Sequence, residues 1–323
     1  MLMRNLGRTG LKVAPLCLGG NVFGWTADEA ASFAVLDAYV EGGGNFIDTA
    51  DSYVRWVPGN TGGESEAILG RWMRERGNRG HVIIATKVES PMGDDPNERG
   101  LSRQHIMAGV EASLRRLQTD YIDLYQAHND DPGTPLEETL RAFDDLVRQG
   151  KVRYVGASNY RAWRLTRALW VSDKNGLERY ESLQPFYNLV SRADYERELE
   201  ALCLDQQIGV IPYSSLASGF LTGKYRAGQP LPASKRAGGV QQRYMNERGF
   251  AVLQAVVDVA RDRNATPAQV ALAWLMARPG ITAPIASATS VEQTRELLGA
   301  TEVRLDSEDI ARLDAASAWQ QAG

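Results

Sequence analysis

The sequence predicts a (β/α)8 barrel with an N-terminal β-hairpin, and three features of its 323 residues lead there. Short apolar runs and amphipathic segments alternate from residue 14 to residue 300. Strands buried on both faces read as such runs, and the intervening helices force them parallel. No Pro/Ser-rich linker or change of composition interrupts the alternation, so a single domain over 1–323 is expected, although the length alone allows two. Two irregular stretches, 88–101 and 215–246, exceed ordinary loop length, and both follow strand ends, where barrels build their sites.

Within residues 1–13, LMRNL and LKVA flank Gly7–Gly10 and predict a hairpin that plugs the barrel bottom. The eight strands are expected at PLCLGG (15–20), NFIDTA (45–50), HVIIATK (81–87), YIDLYQAH (121–128), VRYVGASN (152–159), SLQPFYN (182–188), GVIPYSS (209–215) and TAPIAS (282–287). Helical spacing is plainest at Ile106, Val110, Leu114 and Leu117, and at Leu136, Leu140, Phe143 and Val147. Capping boxes are expected at Thr26/Glu29, Thr134/Glu137, Thr266/Gln269 and Ser290/Gln293, with Pro135 and Pro267 at the first helical position.

Composition narrows the function. With 43% hydrophobic and 24% charged residues, the chain is neither disordered nor collagen-like. A net charge of −4 offers no basic face to nucleic acid, which leaves small molecules as the expected partners. Cys17 and Cys203 are the only cysteines and make neither a disulfide framework nor a cysteine-rich zinc site, so a cytoplasmic location is expected. No window approaches the roughly 18 apolar residues of a membrane span, so neither export nor insertion is expected.

Several familiar motifs fail on spacing. GGNVFG (19–24) has glycines at its first, second and sixth positions, whereas a Rossmann turn needs the first, third and sixth. GFLTGKY (219–225) has three residues between its glycines and Tyr225 where a P-loop carries a hydroxyl for Mg²⁺. His81, His105 and His128 have no cluster spacing, so no metal is expected. GxSxG is absent.

What remains is a set of polar residues at strand ends. Asp48 ends the second strand, Lys87 the third and His128 the fourth, while Tyr53 follows Asp48 by five residues. In a barrel these four share one mouth. A lone strand-end Asp or Lys is more often an ion-pair partner than a catalyst, but four converging groups favour a site. A strand-end lysine is also the layout of a Schiff-base lyase or aldolase, with Lys87 as the nucleophile.

The segments DTADSY (48–53), TK (86–87), TDYIDLYQAH (119–128), GASN (156–159), QPFYN (184–188) and PYSSLASGFLTGKY (212–225) resemble the aldo-keto reductase family over nearly the whole chain. The likeness is closest to the branch holding bacterial general reductases and potassium-channel β subunits. It implies reduction of an aldehyde or ketone with a nicotinamide held across the barrel mouth. Tyr53 is then the proton donor, Lys87 the cation that lowers its pKa, Asp48 the partner of that lysine, and His128 a neutral donor to the substrate carbonyl.

Motif matching further assigns Ser158, Asn159 and Gln184 to the carboxamide, and Tyr213 to stacking on the nicotinamide. Ser214, Leu216, Gly219, Leu221 and Lys224 are assigned to the pyrophosphate, with Gly20 and Asn21 as cofactor neighbours. Ser287, Thr289 and Gln293 fall where the family binds the adenosine end, at a predicted helix N-terminus. The arginine and asparagine common there in relatives are Thr289 and Leu297 here, and Arg295 is two positions from Gln293, which points it away. NADPH is the expected cofactor, with NADH as the alternative. Residues 226–248 carry Arg226, Lys235, Arg236, Arg243 and Arg248 against Glu247, five charges less one, or +4. This segment is expected to be either a mobile clamp over the phosphates or a solvated loop. Trp25, Trp56, Met92 and Asn129 are expected to wall the substrate pocket, with loop anchoring as the alternative for Trp25 and Trp56. The channel relatives also leave open a cofactor-loaded subunit of a larger assembly. The sequence gives no oligomeric state.

Overall fold

The computed structural model describes residues 1–319. Strands β1 (Arg4–Asn5) and β2 (Lys12–Val13) pair antiparallel as the expected hairpin. Gly7 presses the hairpin so closely onto the barrel floor that a Cβ there would lie 2.7 Å from the Glu181 carbonyl oxygen and the Gly209 nitrogen. Leu6 and Val13 then join Cys17, Phe46, Ala85, Leu124, Ile211 and Ala283 in the apolar cluster that fills the lower barrel.

Eight parallel strands follow: β3 (Cys17–Gly19), β4 (Phe46–Asp48), β5 (Ile83–Val88), β6 (Ile122–Ala127), β7 (Val152–Ser158), β8 (Tyr180–Gln184), β9 (Gly209–Val210) and β10 (Ile285–Ala286). Their order is β10-β3-β4-β5-β6-β7-β8-β9. The Thr282 amide donates to the Val210 carbonyl at 2.7 Å and that of Ile285 to Pro212 at 2.8 Å, which closes the sheet into a barrel. Every expected run holds a strand, but the last three strands stop early or start late. Pro185 follows β8, Pro212 lies just beyond β9, and Pro284 precedes β10. Proline has no N–H for the ladder.

The helices are α1 (Glu29–Glu41), α2 (Glu64–Arg76), α3 (Arg103–Leu117), α4 (Leu136–Arg148), α5 (Ala162–Asn175), α6 (Ala193–Glu196), α7 (Leu199–Asp205), α8 (Ala237–Tyr244), α9 (Glu247–Asp262), α10 (Pro267–Ala277), α11 (Val291–Gly299) and α12 (Ser307–Ala316). The expected apolar stripes of α3 and α4 face inward, with only Val147 partly exposed. The capping box at Thr266/Gln269 forms in full, with Pro267 in the first turn. Three other caps differ. Asp28, not Thr26, caps α1 by accepting from the Ala31 amide. Thr134 spends its hydroxyl on Asp131 at 2.7 Å, and Pro135 is the residue before α4 rather than its first. Ser290 does cap α11, but Gln293 reaches back to Thr289 instead of closing the box.

Residues 88–101 lack regular structure beyond β5, as expected, whereas 215–246 contains a 3-10 turn over Ala217–Thr222 and helix α8. Among the described residues, no helix is long and apolar enough to cross a membrane.

Candidate active site

Strand order alone sets three of the four expected groups side by side, since β4, β5 and β6 are consecutive in the sheet. Asp48 ends β4, Lys87 is the penultimate residue of β5, and His128 follows β6 with its amide bonded to the Val88 carbonyl. Lys87 is fully buried and Asp48 is 1% exposed. Two such charges persist in low dielectric only as a pair. The Lys87 ammonium donates to Asp48 Oδ2 at 2.7 Å, to the Thr49 carbonyl at 2.8 Å and to the Tyr53 hydroxyl at 2.8 Å. Tyr53 in turn donates to Asp48 Oδ2 at 2.9 Å.

Tyr53 reaches the group from the turn after β4, where its amide bonds to the Ala50 carbonyl. Val54, the next residue, is fully buried with φ at 63°. A β-branched residue in the left-handed region is strained by about 1–3 kcal/mol, and packing holds it there beside the phenol.

The electrostatics differ from expectation in one respect. The Tyr53 phenol is held well above its ordinary pKa, first by burial and then by the Asp48 charge. The ammonium of Lys87 does not reverse this, because burial and the Asp48 charge outweigh it at the phenol. His128 behaves as expected for a neutral imidazole, since burial and the Lys87 charge push its pKa down to about 3. Its ring lies 6.0 Å from that of Tyr53, and Nδ1 is 3.5 Å from the Ser90 hydroxyl.

The residues assigned to the nicotinamide already hold one another. Ser158 donates to the Gln184 carbonyl at 2.9 Å. Asn159, in the left-handed region at φ 58°, donates to the His128 carbonyl at 3.0 Å and to Asn129 Oδ1 at 3.0 Å, and accepts from the Tyr213 hydroxyl at 2.9 Å. The Gln184 amide points into the barrel, donating to Asp48 Oδ1 at 2.8 Å.

On the far side of the mouth, Ser287 donates to Asn21 at 2.7 Å. The lack of a side chain at Gly20 is required by the protein itself, because a Cβ would lie 2.8 Å from the Ser65 hydroxyl. The 3-10 turn begins beside a left-handed run, Ser214, Ala217, Ser218 and Gly219, that leaves Ser214, Leu216 and Gly219 partly exposed. Leu221 is fully buried in the core.

Lys224 is lowered from its ordinary pKa by burial and by the Arg236 charge, and burial likewise lowers Arg236. The two cations thus lie near enough for the Arg236 charge to act on Lys224. Lys235 and Arg236 also lie over the Trp25 ring, 5.9 and 5.5 Å from its centre. The basic segment thus bridges from the β9 side to the loop after β3. Arg248 takes no part, since it bonds to the carbonyls of Val190 and Ser317.

At the adenosine end Thr289 donates to Gln293 from both its amide, at 2.9 Å, and its hydroxyl, at 3.1 Å. Arg295 lines a surface hollow with Ala38 and Glu41 of α1, away from that end as its spacing predicts.

Of the expected pocket walls, Trp25 and Trp56 meet edge to face at 5.7 Å, and Trp56 continues to Tyr53 at 6.4 Å. Met92 touches the position of Gly62. Asn129 departs from an apolar wall, as its amide donates to Glu89 at 2.7 Å. One buried polar residue was not anticipated. Gln126 of β6 pairs in register with Lys87 of β5 and brings Oε1 to 3.4 Å from the Gln184 amide. Its signal was a polar side chain two places before His128, hence on the same strand face as Ile122 and Leu124, which are apolar. Among the described residues, no cluster of His, Cys, Asp or Glu could hold a metal ion.

Residues 15–318 match the profile of the Aldo/keto reductase family. The chain belongs to this family. It is 38% identical over 315 residues to an uncharacterized oxidoreductase of Bacillus subtilis, YrpG, covering 96% of this chain and 94% of the relative. A probable voltage-gated potassium channel subunit beta of Arabidopsis thaliana is 36% identical over 94% of this chain and 92% of its own. Norsolorinic acid reductase of Aspergillus flavus is 32% identical over 94% of this chain and 78% of its own. These matches agree with an oxidoreductase of the aldo-keto reductase branch expected from the motifs.

Proposed function

We propose that this aldo-keto reductase reduces an aldehyde or ketone to an alcohol with NADPH, Tyr53 giving the proton. The observation that carries the reading is the mutual contact of phenol, ammonium and carboxylate at 2.7–2.9 Å beside a neutral imidazole. A reduced nicotinamide, when bound, supplies the hydride. The oxygen that gains charge then needs a proton, and Tyr53 keeps one at neutral pH because burial and Asp48 hold it on the phenol. Lys87 donates to the phenolic oxygen and stabilises the charge left behind after transfer. Neutral His128 can donate to the carbonyl oxygen and fix its angle.

The residues present fit a dinucleotide. Lys224 and Arg236 are neighbouring cations suited to a pyrophosphate, and the backbone turn over 214–219 permits close approach. Ser158, Asn159 and Gln184 offer side-chain donors and acceptors for a carboxamide, and the Tyr213 ring offers a stacking face. Gly20 and Asn21 border the same mouth. Ser287, Thr289 and Gln293 would serve the adenosine end, where the N-terminus of α11 favours a 2′-phosphate. NADH is the alternative, since no arginine stands at that end. A small or medium carbonyl compound suits the wall of Trp25, Trp56 and Met92. Two buried free thiols, Cys17 and Cys203, suit the reducing cytoplasm.

A Schiff-base role for Lys87 is disfavoured, because its three donated bonds use all three hydrogens of an ammonium. Imine formation needs a neutral amine with a free lone pair. The channel relatives keep a cofactor-loaded subunit as the second reading, and slow turnover with every carbonyl would favour it. The test is tryptophan fluorescence quenching by NADPH and NADH in parallel, followed by a carbonyl screen read as loss of reduced cofactor. Binding plus turnover supports the reading, and no affinity for either nucleotide removes it.

A further inference from the structure

A polar tier lies inside the barrel beneath the site. Gln126, Ser182 and Gln184 are all buried, on strands β6 and β8, which flank β7 with its Gly156 between them. Gly156 is the residue that lets them meet, because a Cβ there would fall 2.3 Å from the Ser182 hydroxyl and 3.2 Å from Gln126 Cγ. Gln184 Nε2 has two acceptors around it, Asp48 Oδ1 at 2.8 Å and Gln126 Oε1 at 3.4 Å. A side-chain amide can turn either edge to a neighbour, but two acceptors admit only the NH₂ edge.

Asp48 thereby has both oxygens occupied on opposite sides. Oδ2 accepts from Lys87 and Tyr53, and Oδ1 accepts from Gln184. The Tyr53 hydrogen lies on the line to Asp48, so a carboxylate with a bare Oδ1 would hold that hydrogen more strongly and compete with the substrate for it. A charge-assisted bond at Oδ1 draws part of the charge away from Oδ2. We propose that Gln184, kept in this orientation by Gln126, is a positioning residue that weakens the grip of Asp48 on the Tyr53 proton. The proposal rests on the carbonyl-reductase reading for its effect on turnover, while the bond itself stands in the cofactor-free protein.

The experiment therefore has two arms. In the first, thermal unfolding without cofactor is measured for Gln184→Leu, Asp48→Asn and the double variant. Losing a hydrogen bond to a buried carboxylate lowers Tm by about 3 °C or more in the wild-type background. The same substitution costs clearly less beside Asp48→Asn, because no charge is then left unpaired. Equal Tm losses in both backgrounds overturn the proposal. In the second arm, kcat is followed against pH for wild type, Gln184→Leu and Gln184→Glu. Gln184→Leu loses about tenfold or more of kcat at every pH, in the range of one charge-assisted bond. Gln184→Glu recovers as pH falls, since the protonated acid donates to Asp48 as the amide does, and fails as the two carboxyls come to repel. A Gln184→Glu profile parallel to wild type overturns the proposal. Wild type that turns over no carbonyl strikes the reductase reading instead, and the unfolding cycle still decides whether Gln184 serves Asp48.

Discussion

Replacing Lys87 with methionine removes a charge from a place that water does not reach. Lys87 is fully buried and Asp48 is 1% exposed, so the variant leaves a carboxylate with neither solvent nor counter-ion. Breaking a buried pair by deleting one partner costs about 3–5 kcal/mol. The Thr49 carbonyl and the Tyr53 hydroxyl lose a donor in the same step. At about 1.4 kcal/mol per factor of ten, the folded-to-unfolded ratio should fall by about two to nearly four orders of magnitude. Asp48→Asn in the Lys87→Met background removes the stranded charge, so the double variant should regain most of that loss. Urea unfolding of the three variants and wild type at neutral pH, without cofactor, measures both numbers. A Lys87→Met protein as stable as wild type, or a double variant less stable than either single one, would refute the idea that the pair exists to neutralise itself.

Three further outcomes follow from other residues. His128 has its folded pKa pushed down to about 3 against an ordinary 6.5, so the unfolded chain binds more protons between those values. Its contribution to stability is therefore full above about pH 6.5 and lost as pH falls, by about 2 kcal/mol at pH 5. His128→Gln should flatten that part of a urea-stability profile, and an unchanged slope contradicts the shift. Asp51 is buried, and its pKa is held well above the carboxylate range by burial and by the Glu66 charge. The folded state then binds the extra proton, so stability falls as pH rises from the ordinary carboxylate pKa toward the raised one. Asp51→Asn should become progressively more stabilising over that range in thermal melts. Finally, Lys224→Ala and Arg236→Ala should each weaken NADPH binding about tenfold or more, by loss of a charge-assisted bond. Fluorescence titration of both variants checks this, and unchanged affinity would return the basic segment to a solvated loop.

The barrel was legible because a parallel sheet buried on both faces writes itself as apolar runs, and because Pro185, Pro212 and Pro284 only trimmed the runs that contained them. Helix starts were legible where one candidate cap stood alone, as at Thr266. They were misplaced where a nearby aspartate competed: Asp28 outbids Thr26 for α1, and Asp131 draws the Thr134 hydroxyl away from α4. Convergence of Asp48, Lys87 and His128 follows from strand order, so spacing carried it. Spacing also put Tyr53 in the same mouth, but the left-handed Val54 beside it is a feature that no pattern announces. The direction of the Tyr53 shift was equally hidden, because it turns on how far burial and the Asp48 charge outweigh the Lys87 ammonium. Loop contacts were least legible. The Trp25–Trp56 corner and the Asn129–Glu89 bond join segments far apart in sequence, and periodicity carries no information about such pairs.

The most direct test of the central claim is a single variant, Tyr53→Phe, measured for both cofactor binding and turnover. The substitution deletes one hydroxyl and leaves Asp48, Lys87 and His128 in place. The expected result is NADPH affinity near that of wild type with carbonyl reduction slowed by about 10²–10⁴-fold, the range of a lost general acid. Turnover equal to wild type with the phenol gone would contradict it.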